Sequence, residues 1–233
     1  MKIINKVGKR VDSKASSKAI KKKLKEEDPI IKNAEKDDTE ELSPMDPPDA
    51  YDEKRIVGMD YESFHPNLKE LCDEHKGAIE KCDAFDKALI EFKEGGYFIT
   101  REINEAFNTF FVAFDENIMP HNRKEERGLF PILQKRFLES GEHSTGDSPH
   151  TPIDLMEDDH IKMIQLASLT FNFLGLAMRL KSAEDIAVTF DLAYNNGKEL
   201  AELLRLHIYR EDNTLFPMAQ KLLTKEEMNQ FYD

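Results

Sequence analysis

The chain has no tryptophan, only two cysteines, and no run near the ~20 consecutive apolar residues of a membrane helix. The last absence excludes a transmembrane segment, and no apolar signal-peptide core is seen, so a cytoplasmic protein is expected. Cys72 and Cys82 are too few for a disulfide framework, and ten residues apart on an expected helix they cannot pair. A reducing compartment follows. Strict apolar–polar alternation is also missing, which removes half-buried strands. A net charge of −13 over 233 residues argues against nucleic-acid binding by the folded part, yet is compatible with cations. What is present is 15 phenylalanines, enough for a substantial apolar core.

The first 25 residues stand apart, with ten Lys or Arg between Lys2 and Lys25 against one acid, Asp12. Residues 26–50 turn acidic and end in SPMDPPDA, which favours extended chain. Residues 1–60 therefore read as a flexible charged arm and linker, and 61–233 as the folded domain. A membrane-surface, nucleic-acid or targeting role for the arm is the sharper alternative.

Four helical runs follow. Leu68, Leu71, Cys72, His75, Ile79, Cys82, Phe85, Leu89 and Phe92 recur at steps of three and four until Gly95-Gly96. Ile99, Ile103, Phe107, Phe110, Phe114, Ile118, His121, Glu125, Ile132 and Leu133 form the second run. ESGEHSTGDSPHTP (139–152) is a loop by composition. The third run holds Met156, His160, Met163, Ala167, Thr170, Leu174 and Ala177, and the fourth Leu192, Leu200, Leu203, Leu204, His207, Glu211, Leu215 and Leu222. The fold class is all-α, an up-down-up-down four-helix bundle.

One stretch occurs twice. His121, Glu125 and Leu129-Phe130-Pro131 match His207, Glu211 and Leu215-Phe216-Pro217 without a gap. Residues at i and i+4 share a helix face, and both pairs continue apolar seams, so both point inward. A carboxylate in a bundle core is expensive unless a cation or hydrogen bonds compensate it. His75 and His160 lie on the other two seams, 46 and 47 residues ahead of His121 and His207. Each half of the chain thus offers His, then His-x-x-x-Glu. His75 lies about 20 residues before the Gly95-Gly96 turn and His121 about 25 after it, which puts both ~30–37 Å along their helices. One shared site is expected, nearer the end carrying the 139–152 loop. Mixed N/O ligation favours iron, then manganese, then zinc.

At this point the sequence resembles the hemerythrin-like family, whose domains bind cations through His…His-x-x-x-Glu…His…His-x-x-x-Glu, over roughly residues 63–223. The resemblance implies a non-haem di-iron centre held by His75, His121, Glu125, His160, His207 and Glu211, with Glu125 and Glu211 as bridges beside a solvent-derived bridge. Two departures matter. His160 has Met156 and Ile164 as its i±4 neighbours, where oxygen-carrying members place a second histidine. Glu211 follows His207 by four residues, where those members use the position of Asp212. One ligand fewer argues for a centre that reacts or senses more than one that ferries oxygen.

The functions in view are binding, sensing or handling of O2, NO, peroxide or iron. The alternative is an enzyme for peroxide or NO reduction or iron–sulfur centre repair, although residues 1–60 lack the cysteine common in repair-type relatives. A bundle with purely structural histidines is the third class. Glu157 is a candidate seventh ligand set against solvated helix surface over 157–159. Glu126 is assigned a surface or supporting role, His65, His143 and His150 exposure, Cys72 the core, and Tyr209 an outward face. The Leu-Phe-Pro tripeptides read as packing and helix-bending elements.

Overall fold

Residues 60–145 and 149–230 are described in the computed structural model, and all their regular structure is helical. The charged arm read over 1–60 falls outside the described residues, Asp60 apart. A short 3-10 turn, Tyr61–Ser63, precedes α1, Pro66–Glu94. Proline suits the first helical position, where its missing N–H has no partner to lose, and His65 accepts from the Asn67 N–H as the cap. Gly95 and Gly96 end α1 as read; Gly96 takes φ +68°, which glycine adopts without penalty. The next residue, Tyr97, also has positive φ, and its N–H donates to the Phe92 carbonyl at 2.8 Å.

The second run is three α-helices in one continuous helical stretch: α2 (Arg101–Ala113), α3 (Met119–Lys124) and α4 (Phe130–Ser140). Wide π turns at Phe114–Ile118 and Glu125–Leu129 separate them. Helix α5 spans Pro152–Ala177, opened by a Thr151–Asp154 capping box. Helix α6 spans Ala183–Arg210 and passes through a third π turn, Glu211–Leu215, into α7 (Phe216–Leu222). A short α8, Lys225–Gln230, follows.

All three π turns have one cause. Each ends one residue before an X-Pro pair: Met119-Pro120, Phe130-Pro131 and Phe216-Pro217. Proline cannot donate to the carbonyl four residues back, and its ring clashes there. The residue before it donates instead to the carbonyl five back: Met119 to Phe114, Phe130 to Glu125, Phe216 to Glu211. The Leu-Phe-Pro repeat thus widens the helix at the turn that begins with each inward glutamate.

Helix α1 packs against α2 and α6, and α5 packs against α6. The buried residues form two clusters. One gathers Phe85, Phe92, Phe107, Phe110, Met163, Phe190 and Leu200. The other gathers Leu68, Leu71, Phe130, Phe137, Met156 and Phe216. Along each long run the seam passes from one cluster to the other, and the polar residues lie between them. Leu192, read as part of the fourth seam, is instead 42% exposed. No helix among the described residues is long and apolar enough to cross a membrane.

Candidate metal centre

Between the two apolar clusters the six sequence-predicted residues come together. His75, His121, Glu125 and Glu211 each place a ligand atom within 4.8 Å of the others, and so do Glu125, His160, His207 and Glu211. The two groups share both glutamates. Glu211 reaches His75 Nε2 at 3.2 Å through one oxygen and His207 Nε2 at 3.1 Å through the other. Glu125 Oε2 lies 3.6 Å from both His121 Nε2 and His160 Nε2. Each glutamate therefore spans one histidine of each group. All six side chains are buried, and both glutamates have no exposure at all.

The outer nitrogens decide which way the rings work. His75 Nδ1 is 2.8 Å from Asp212, His121 Nδ1 2.7 Å from Glu74, and His160 Nδ1 2.9 Å from Glu126. His207 Nδ1 is 3.4 Å from Asp159. A carboxylate only accepts, so each Nδ1 carries a proton, and a ring that is neutral turns its Nε2 lone pair inward. His75 and His121 then bring two Nε2 atoms to 3.0 Å, and His160 and His207 to 3.1 Å. Cations follow two of the acids: Lys124 pairs with Glu74, and Arg210 Nη1 with Asp159 at 3.0 Å. Lys124 and Arg210 occupy the same position, three residues after His121 and His207. Phe216 stacks on His75 and Phe130 on His160, each at 5.6 Å, so the phenylalanines of the repeat are the walls of the site.

Fit to a cation can be judged from the polar atoms left over. No aligned hydrogen bond reaches any of the four oxygens of Glu125 and Glu211. Four fully buried carboxylate oxygens without an aligned hydrogen bond, facing four inward Nε2 atoms, need positive charge. Without metal, protons supply part of it. Burial opposes charge on His75 and His207, but Asp212 and Glu211 lift His75 to about 9, and Glu211 and Asp159 lift His207 to about 10. His160 falls well below its ordinary value through burial and the neighbouring His207 charge. Burial and the Glu211 charge push Glu125 well above the carboxylate range, whereas His207 and His75 hold Glu211 well below it despite burial. Nitrogen and oxygen donors in this set suit a divalent transition metal.

A family model described as the hemerythrin HHE cation binding domain matches residues 66–219. The chain belongs to that family. Among curated proteins it is similar to "Iron-sulfur cluster repair protein YtfE" of Salmonella newport and of Salmonella agona, each 28% identical over 110 residues. Those segments cover 47% of this chain and 45% of the relative, so the match spans about half the length of these relatives. No solved structure matches the chain.

Glu157 belongs to neither ligand group. Asp159, read with it as solvated surface, is 7% exposed and supports His207. Glu126 takes the supporting role, with its Oε1 2.9 Å from His160 Nδ1. Glu74, Asp159 and Asp212 were missed as ring partners. Their signal is present in the sequence: each is an acid directly beside a site residue, in Glu74-His75, Asp159-His160 and Glu211-Asp212. His65 caps α1, Tyr209 is 38% exposed, and Cys72 is buried with its thiol pushed up by burial and the Asp212 charge.

Proposed function

We propose that His75, His121, Glu125, His160, His207 and Glu211 hold two iron ions bridged by Glu125 and Glu211, and that the centre binds and handles O2, nitric oxide or peroxide. The reading is carried by the shared membership of both glutamates in two four-residue groups, with their four oxygens left without hydrogen-bond partners. When bound, iron would supply redox chemistry and open positions for a small ligand. The chain itself keeps the protons on Nδ1 through Glu74, Glu126, Asp159 and Asp212, and walls the centre on one side with Phe130 and Phe216. In the same reading residues 61–233 are the binding unit, its long helices run up-down-up-down, and the protein is cytoplasmic.

Iron analysis of the full chain from iron-replete cells, with Mössbauer spectroscopy, tests this. About two coupled irons per chain are expected. Well under one iron, with no uptake by the metal-free protein, would end the reading.

A second reading, an enzyme using the same centre for peroxide or NO reduction or for iron–sulfur centre repair, is favoured by the similarity to the YtfE relatives. Repeated turnover of peroxide or NO, or restoration of a damaged cluster by the iron-loaded chain, would place catalysis ahead of binding. Stoichiometric reaction alone would remove it.

A further inference from the structure

A cavity of about 410 Å³ opens between α1 and the α2–α3 segment and reaches the centre from one side. His75, His121, His207 and Glu211 line it, whereas Glu125 and His160 do not. The cavity therefore approaches the centre from the face carrying the His75–His121 pair.

Two residues on its wall are not explained by packing. Gly77 sits mid-helix in α1, where alanine would favour the helix, and a Cβ there would meet nothing within 4 Å. It is exposed at the edge of the cavity, and a side chain there would stand in open space. Asn122 is 2% exposed, and its Nδ2 donates to nothing. In the repeat its counterpart is Ile208, the residue after His207, which is also buried on this wall. An apolar residue thus satisfies the equivalent position. A buried amide donor without an acceptor destabilises the fold, so its acceptor is to be sought outside the chain. Asp73, Glu74, Glu116 and Glu211 outnumber Lys81 and Lys124 on the walls, which disfavours an anion.

We propose that this cavity is the ligand pocket of the centre, and that Asn122 Nδ2 donates a hydrogen bond to the outer oxygen of a small neutral ligand of the nitric oxide or peroxide type. Asn122 is then a positioning residue, and Gly77 sets the width of the entrance. This rests on the di-iron reading, and iron content separates the failure of one from the failure of the other.

Nitric oxide is the probe, added to the reduced, iron-loaded full chain and followed by infrared spectroscopy and stopped flow. In wild type the N–O stretch is expected to shift in D2O, since the donor proton exchanges. Asn122→Leu should raise the stretch, abolish its D2O sensitivity and weaken nitric oxide binding about two- to tenfold at unchanged iron content. Gly77→Phe should slow association several-fold, again with full iron. An unchanged stretch and affinity in Asn122→Leu, or an unchanged association rate in Gly77→Phe, overturns the assignment while the di-iron reading stands. If Asn122→Leu does not fold, the wild-type D2O arm decides, and no shift overturns the hydrogen bond. Wild type holding less than one iron overturns both.

Discussion

His75 Nδ1 lies 2.8 Å from Asp212 Oδ1, so the ring on the first long helix is held by the acid that follows Glu211 in the last. The partner relation is repeated across the site: Glu126 holds His160 from the other half, while Glu74 and Asp159 hold His121 and His207 from within their own. Two acids per half therefore tie the halves together, one internally and one crosswise. An approximate twofold relation, read from the repeat of inward residues, extends to the acids behind them.

Losing Asp212 should loosen His75 without removing a ligand. Asp212→Ala is expected to reduce iron retention about 10- to 100-fold, the usual effect of deleting a partner behind a ligating histidine. Competition with a chelator measures it. Asp212→Asn, which can still accept from Nδ1–H, should recover part of the loss. Equal retention in all three proteins would mean that the contact orients nothing.

The metal-free centre should be less stable at high pH. Folding raises His75 to about 9 and His207 to about 10 from an ordinary 6.5. Groups raised on folding stabilise fully below pH 6.5, and that contribution is lost as pH climbs through 9 and 10. Glu125, held protonated by burial, adds loss in the same direction above its ordinary value. The urea midpoint of metal-free protein should therefore fall between pH 6.5 and 10. Metal must displace these protons, so loading at pH 7 should acidify a weakly buffered solution, and the loaded protein should lose the steep decline. A flat metal-free profile would contradict the charge arrangement.

Two helix glycines should respond to alanine with opposite signs. At Gly77 the new Cβ meets open space, so Gly77→Ala should gain about 0.5–1 kcal/mol from helix propensity alone. At Gly197 it would stand 2.9 Å from Leu89 Cδ1, 3.1 Å from Cδ2 and 3.3 Å from Phe85. Leu89 and Phe85 are fully buried, and Phe85 stacks on Phe110 at 4.0 Å, so neither yields freely. Overpacking of about 1–3 kcal/mol exceeds the propensity gain, and Gly197→Ala should lose stability. Denaturant titration of the metal-free proteins distinguishes the two.

The helical runs and the inward pairs were legible because both are periodic. The Gly95-Gly96 stop, the 139–152 loop and the turn near Lys181-Ser182 coincide with the ends of α1, α4 and α5 and with the Ser182 cap of α6. Two things were not. The π turns depend on a missing N–H at Pro120, Pro131 and Pro217, and a fixed 3.6-residue period cannot register an inserted residue. Outer acids such as Glu74 and Asp159 lie about 100° round the helix from a site histidine, so periodicity assigns them to the surface. Only the neighbouring helix, which supplies the ring they hold, gives them a part in the site. Asn122 escaped for the same reason, lying about 100° round the helix from His121.

Replacing a carboxylate shared by the two groups should move stability and metal binding in opposite directions. Glu125 is fully buried, and neither oxygen has a hydrogen-bond partner. Glu125→Leu removes that burden, so the metal-free variant should unfold about 1–3 kcal/mol later than wild type in denaturant. The same change deletes an atom shared by both ligand groups, so iron content should collapse, along with the rise in melting temperature that iron gives the wild type. Thermal melts of both proteins, with and without iron, provide the four values needed. A residue that weakens the empty fold and strengthens the loaded one is held for the cation. If Glu125→Leu instead destabilised the metal-free chain, the carboxylate would be supporting its histidines, and the purely structural class would regain its place.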